Sequence, residues 1–334
     1  LIHYIFPDIH PIVISGLASV FALVLTFVSL LVFRGSLPKD RGRAFASQAD
    51  VSVGKPTGAG IFFITSMLLS SLLFLPVSRH SISLDVIIFL GMFFGYLDDR
   101  AKKAWHEYFK GLLDLLVSVA AAIVFFLAIG SEIFLPFSGT TYTVPAPLFI
   151  PLATLLVWAS INVTNCTDGV DGLASTLTII SLSAFFGLSF ILGTAGPRVS
   201  FIPVVIASLL AYLWFNTNPS MLLMGDAGSR GLGVIIAMSA LFSRNPLSFL
   251  FICFVFIVDG GAGIVKISMK RFFGISIMTK IKTPIHDHFR DSGKNGEDNS
   301  KKWKNQTVTV RFSLVSIILC GVYLFAEVLC NSVF

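Results

Sequence analysis

Long apolar runs alternate with short polar stretches over the whole chain. An α-helix crosses the hydrocarbon core of a bilayer in about 20 residues, and most of the runs approach that length. The pattern predicts about ten spanning helices, at Ile12–Phe33, Gly58–Pro76, Ser83–Leu97, Gly111–Gly130, Leu148–Val163, Gly172–Leu192, Ser200–Phe215, Gly231–Phe242, Leu247–Ile267 and Val308–Cys330. The third and eighth are short, so they are expected to be tilted or to be parts of longer helices. The stretch Ser131–Pro147 alternates Thr-Thr-Tyr-Thr-Val between turn-forming groups and predicts a small external β-hairpin. No basic residue precedes the first run and no small-residue cleavage site follows it, which predicts a first span rather than a removable signal peptide. The expected fold is an all-α polytopic membrane protein, a single integral membrane domain over residues 1–334.

Composition agrees with that class. Hydrophobic residues make up 55% of the 334 and charged residues 13%, against about 25% charged in a soluble domain. The charge is unevenly placed. Of 24 Lys and Arg, 21 fall in alternate loops on one side, among them Lys39, Arg41, Arg43, Lys55, Lys102, Lys103, Lys110 and the group from Lys266 to Arg311. Only Arg79, Arg198 and Arg244 fall on the other. Basic loops stay in the cytoplasm, so both termini are expected outside. The net charge of +6 then reads as a basic cytoplasmic rim. It reflects either the insertion bias alone or a collar for anionic lipid head groups and an anionic soluble substrate. Nothing points to nucleic acid. Cys253, Cys320 and Cys330 lie in apolar runs and Cys166 in a polar island, which is no disulfide framework.

Three polar islands cap hydrophobic runs on the basic side: Gly95-Tyr-Leu-Asp98-Asp99-Arg100, Asn165-Cys-Thr-Asp168-Gly-Val-Asp171-Gly172 and Met224-Gly225-Asp226-Ala-Gly228-Ser229. Carboxylates gathered at a membrane edge suit a hard cation, and a cation there suits phosphate. Asp98 and Asp99 point to different sides of a helix; one is available to a metal or substrate, or both belong to a solvated helix end with Lys102 and Lys103. Asp168 and Asp171 share a face if their segment is helical, with Asn162 and Asn165 one turn back; the alternative is capping of the sixth span. Gly225, Gly228 and Ser229 resemble a phosphate site at a helix N-terminus, where Asp226 needs a cation between itself and any phosphate. The Gly-Lys-Ser/Thr ending of a nucleotide-binding loop is missing.

Two further features stand apart. His286-Asp287-His288 follows Pro284. As a strand, its two imidazoles share a face, open to zinc, to pyrophosphate or to proton transfer; as a plain loop they are solvated. Asp259 sits inside the ninth run before Gly260, Gly261 and Gly263, with Lys266 two turns on. The glycines predict a bend, and Asp259 is either in an ion pair with Lys266 or a wall of the site. A transporter would carry its acids at mid-depth and often show repeats; these acids lie at helix ends, with Asp259 and Asp114 the membrane-embedded exceptions, and the halves show no repeat.

In order and spacing, the three islands and Pro284-Ile-His286-Asp287-His288-Phe289 resemble the polyprenyl-phosphate N-acetylhexosamine-1-phosphate transferase superfamily. Within it the chain is most similar to the phospho-N-acetylmuramoyl-pentapeptide transferase branch, on the His-X-His-Phe loop and Trp303…Val308-Thr-Val-Arg311-Phe312. The resemblance implies attack of undecaprenyl phosphate on the β-phosphate of UDP-N-acetylmuramoyl-pentapeptide at the bacterial cytoplasmic membrane, with Mg2+, giving lipid I and UMP. Its alternative donor is UDP-N-acetylglucosamine. It implies Asp226 as the metal ligand, Asp98 on the lipid phosphate, and Asp99, Asp168, His286 and His288 as further catalytic groups. It puts Thr57, Lys102, Asn162, Asn165, Asp171, Asn216 and Gly225 against the substrates. It also implies a cytoplasmic cleft, a broken ninth helix, a homodimer, and inhibition by nucleoside antibiotics such as tunicamycin or muraymycin.

The chain departs from the family pattern at several places. Asp287 stands where the family usually has the middle of three histidines, Arg290 where it has Glu, Leu223 where it has Phe, Arg230 where it has Leu and Lys266 where it has Gln. The loop from Arg290 to Trp303 is longer than usual. These changes leave the acids in place and alter their surroundings.

Overall fold

The computed structural model describes residues 2–6, 9–42, 52–196, 199–290 and 302–333. Arg43, Arg198 and most of the long loop after Arg290 lie outside the described residues. Every apolar run forms helix. The elements are α1 Pro11–Phe33, α2 Gly60–Phe74, α3 Arg79–Arg100, α4 Glu107–Ile129, β1 Glu132–Phe134, β2 Thr141–Thr143, α5 Ala146–Thr167, α6 Leu173–Ile191, α7 Phe201–Asn216, α8 Gly225–Phe242, α9 Pro246–Ile252, α10 Phe254–Phe273, α11 Ile285–Arg290 and α12 Asn305–Val333. Among the described residues, six helices are long and apolar enough to cross a membrane, or seven if the bent α9–α10 pair is one span; α2 and α7 are shorter apolar helices.

The third run, Ser83–Leu97, is part of a longer helix, one of the two outcomes expected of it. Helix α3 has 22 residues and takes in Arg79 and His80, because Ser78 and Ser81 form a reciprocal capping box before them. Helix α8 also starts early, at Gly225 rather than Gly231, so the third polar island is its first turn and a half. Charge hid both extensions from a reading of hydrophobicity.

Helix α8 is the axis of the molecule, buried from Gly225 to Leu241. It packs mainly against α3 and α5, with α2 and α6 completing the sleeve. A helix buried on all sides carries no amphipathic stripe, and its small residues let neighbouring backbones come close. The outer helices turn apolar side chains outward, such as Val20 and Val24 on α1, Leu116 and Leu127 on α4, and Ile318 and Val322 on α12. That is the pattern of a protein solvated by lipid.

The hairpin forms, with Glu132, Ile133 and Phe134 paired antiparallel to Thr143, Tyr142 and Thr141. It sits beside the C-terminal end of α8, where the Phe134 amide donates to the Arg244 carbonyl at 2.7 Å and Arg244 Nη1 donates to Glu132 Oε2 at 2.6 Å.

The ninth helix is bent by 70° at Cys253, ahead of the glycines. The Ile252 carbonyl at the break accepts from Ser181 Oγ at 3.4 Å and Cys320 Sγ at 3.5 Å, so neighbouring side chains meet the need of the interrupted backbone. The residues Ile257–Gly261 run on as a single π turn. Gly260 serves contact rather than bending: a Cβ there would stand 2.5 Å from the Val163 carbonyl oxygen of α5.

Candidate active site

The ends of α3, α4, α5 and α8 meet at one point. Asp98 of α3 is buried; its Oδ1 accepts from the Trp105 amide at 2.8 Å and its Oδ2 pairs with Lys110 of α4. Lys110 Nζ also lies 3.4 Å from Asp226 Oδ2. The other oxygen of Asp226 accepts from Asn165 Nδ2 of α5 at 2.9 Å, and Asn165 Nδ2 also reaches Ser229 Oγ at 2.9 Å. One turn further along α8, Arg230 Nη2 is 3.4 Å from Asp226 Oδ2, and its Nη1 pairs with buried Asp114 of α4. Three carboxylates and two cations thus alternate as Asp98, Lys110, Asp226, Arg230, Asp114.

Three of these residues escaped the sequence reading as members of the site. Lys110 had been placed only among rim charges, Arg230 among departures, and Asp114 among membrane-embedded acids. Lys110 and Asp114 are four apart, hence on one face of α4 at the start of a long span. An ionisable pair at that place was the available signal.

Asp99 does different work from Asp98. Its two oxygens accept from the backbone N–H of Asp226 at 3.1 Å and of Ala227 at 3.0 Å. It caps α8, complementing the positive end of the helix. The Gly228 amide already donates to the Met224 carbonyl at 3.2 Å. The phosphate cradle expected at Gly225, Gly228 and Ser229 is therefore not open, because Asp99 takes up the donors that phosphate would need.

Asp168 and Asp171 do not share a helical face. Helix α5 ends at Thr167, Asp168 is its C-cap, and the chain turns before α6 begins after Gly172. Neither aspartate caps α6, whose N-cap is Gly172 without a side-chain bond. Asp171 Oδ2 instead accepts from Asn218 Nδ2 at 2.9 Å and the Ser220 amide at 3.2 Å. Asn216 is buried and joins the same loops, accepting from the Gly172 amide and donating to the Leu222 carbonyl, each at 2.9 Å. Asn162 donates to the carbonyl of Trp158 in its own helix. Thr57 is buried in the segment before α2, and Lys102 is exposed beyond α3.

The His286-Asp287-His288 motif is a helix, not a strand, so residues two apart diverge. His286 is buried, with its amide donating to Asp259 Oδ1 and its Nδ1 2.8 Å from Asp259 Oδ2. His288 is exposed and accepts at Nδ1 from the Lys282 amide at 3.4 Å. Of the two readings of Asp259, the ion pair with Lys266 does not form: Lys266 donates to the Ile281 carbonyl at 2.6 Å. Asp259 lies within the π turn Ile257–Gly261, and the regular spacing that would align it with Lys266 is lost. Two family departures meet here, since Arg290 Nη2 donates to Asp287 Oδ1 at 2.8 Å and both are buried. Phe289 stacks on Trp303 at 4.2 Å, and Arg311 covers Trp303 at 4.3 Å, which fixes α11 to α12.

His286 adjoins the second island through Gly169, where a Cβ would stand 2.4 Å from His286 Nε2. The imidazole is bonded to Asp259 through Nδ1, and the backbone amide of His286 holds the other Asp259 oxygen, so the ring cannot yield cheaply. The expected result for Gly169→Ala is a loss of activity on the order of tenfold, as expected when a side chain is moved by a fraction of an ångström. A structure or chemical-shift probe of His286 should show the ring displaced.

Among the described residues, no three His, Cys, Asp or Glu side chains converge into a metal cage. What is present is oxygen chemistry: Asp226 and Asp98 with an ammonium between them. That set fits Mg2+, which takes one or two carboxylates and completes its shell with water and substrate phosphate.

A glycosyl transferase family 4 model matches residues 81–244, which includes the whole Asp98-to-Arg230 constellation. A phospho-N-acetylmuramoyl-pentapeptide-transferase of Treponema pallidum is 36% identical over 326 residues, covering 92% of this chain and 87% of the relative. A protein of the same name from Clostridium acetobutylicum is 29% identical over 325 residues, covering 93% and 96%. Another from Brachyspira hyodysenteriae is 30% identical over 316 residues, covering 80% of each chain.

Proposed function

The chain belongs to the phospho-N-acetylmuramoyl-pentapeptide-transferase family, and from that premise we propose that it moves phospho-N-acetylmuramoyl-pentapeptide from its UDP carrier to undecaprenyl phosphate. The observation that carries this reading is the convergence of Asp98, Lys110, Asn165 and Asp226 at one end of a fully buried helix. An oxygen of the lipid phosphate attacks the sugar-bearing phosphorus of the donor. The bond from that phosphorus to the UMP oxygen breaks, and the products are UMP and lipid I.

A phosphate monoester already carries about −1.5 to −2 charges at neutral pH, so Asp98 orients the nucleophile more than it deprotonates it. Catalysis of phosphoryl transfer rests on positioning and charge neutralisation. Lys110 supplies a mobile cation between the two carboxylates, and Asn165 fixes the rotation of Asp226. Asp226, with Asp98 as neighbour, would hold Mg2+, which when bound supplies charge neutralisation at the diphosphate. The constellation lies at the basic end of the bundle, and this supports a cytoplasmic site in a ten-span bacterial inner-membrane protein with both termini outside. The same reading makes nucleoside antibiotics competitors of the donor.

The test is UMP release by purified protein in detergent with undecaprenyl phosphate. Release is expected with UDP-N-acetylmuramoyl-pentapeptide, to stop on chelation and to return with added Mg2+. Turnover of UDP-N-acetylglucosamine in its place would reassign the donor, and no release with either would reject the reading.

A further inference from the structure

At the far end of α8 from Asp226 lies a second cavity, of about 550 Å³. Its walls are mostly apolar, built from Leu84, Ile88, Ile129, Ile202, Ile235 and Phe242. Asp85 of α3 lines it. Asp85 has no hydrogen bond or ion pair among the described residues. It stands six residues into α3, about 9 Å along the axis from the helix start. That distance is longer than the head-group layer of a bilayer is thick, about 5–8 Å.

A carboxylate inside a membrane segment is costly and is kept where a partner meets it. Arg244, Ser78 and Thr194 line the same cavity. Arg244 spends Nη1 on Glu132, and a guanidinium has five donors in all. The lining therefore offers one anion, one cation, hydroxyl groups and an apolar wall. A purely apolar occupant would leave Asp85 uncompensated. An anionic lipid would meet Asp85 with like charge, and a small soluble cation would gain nothing from the apolar wall.

We propose that this cavity binds a phospholipid with a primary-ammonium head group, the ammonium on Asp85, the phosphate on Arg244, and an acyl chain along Leu84, Ile88 and Ile235. The site is separate from the transferase centre, about 18 Å along α8 from Asp226 to Met238, and does not depend on which reaction that centre performs.

The test uses the full chain in nanodiscs made from an equal mixture of ethanolamine and glycerol phospholipids, followed by partial delipidation and native mass spectrometry. The ethanolamine lipid should be retained about tenfold over the glycerol lipid, a factor that corresponds to about 1.4 kcal/mol. Asp85→Asn should abolish the preference while UMP release stays unchanged, and Arg244→Gln should weaken retention of both lipids. Equal retention by the unaltered chain, a preference for the glycerol lipid, or an Asp85→Asn protein that keeps the ethanolamine preference would each overturn the proposal. The result for the unaltered chain decides the matter even if a variant fails to fold.

Discussion

Asp226→Asn is expected to lower UMP release by about 10³-fold, the upper range for removing one electrostatic group from a preorganised site. The change keeps the shape of the side chain and one acceptor oxygen, and removes the charge that faces Lys110 and Arg230. Stability should change little. Lys110 keeps Asp98 and Arg230 keeps Asp114, so no buried charge is stranded. Asp99→Ala should show the opposite balance. It removes the cap on α8, with an expected cost of about 1 kcal/mol in stability. Thermal unfolding and UMP release measured on both variants separate the two neighbours. If Asp226→Asn kept activity within tenfold, the site would have to be placed elsewhere.

The difference between Asp98 and Asp99 also marks how far sequence carries. Adjacent carboxylates at a helix end announce that something polar gathers there, and the apolar runs give most helix ends to within a few residues, with the polar start of α8 and the end of α10 as exceptions. Which carboxylate caps and which faces the cleft depends on where α8 passes, and that is a long-range fact. Asp259 is a sharper case. Sequence spacing offers Lys266 as one of two readings, because the two lie two turns apart on a regular helix. The π turn breaks that register, and His286 arrives from a segment 27 residues away. Its motif was visible, but its buried partner was not. The same holds for Asp287 and Arg290. Each looked like a separate loss from the family pattern, and only the fold shows them as one ion pair. The family resemblance places Asn216 and Asp171 against the substrates, and in the fold Asn216 Oδ1 and Asp171 Oδ2 also hold neighbouring loops together. Hydrophobic periodicity is local and survives reading along the chain. Hydrogen-bond partnership is mostly not local.

Arg230→Leu is expected to destabilise the protein by about 3–5 kcal/mol, the usual cost of stranding one member of a buried ion pair. Arg230 is buried and pairs with buried Asp114, so its loss leaves Asp114 beside Asp226 with like charge. The double variant Arg230→Leu/Asp114→Leu should recover to within about 1 kcal/mol of the unaltered protein, since well-packed apolar residues replace a buried pair at little cost. Reversible unfolding in mixed micelles would measure the cycle, with the coupling energy taken from the difference. Additive losses in the double variant would mean that Arg230 stabilises through Asp226 alone. Activity provides the second reading of the same proteins. Arg230 lies 3.4 Å from Asp226 and lowers the local negative charge, so the single Arg230→Leu variant should bind Mg2+ more tightly and need less of it for half-maximal UMP release, with a smaller gain in the charge-neutral double variant. A leucine, the residue usual at this position in the family it resembles, would then leave charge compensation at Asp226 to Lys110 and the metal. In this chain a fixed guanidinium shares that work.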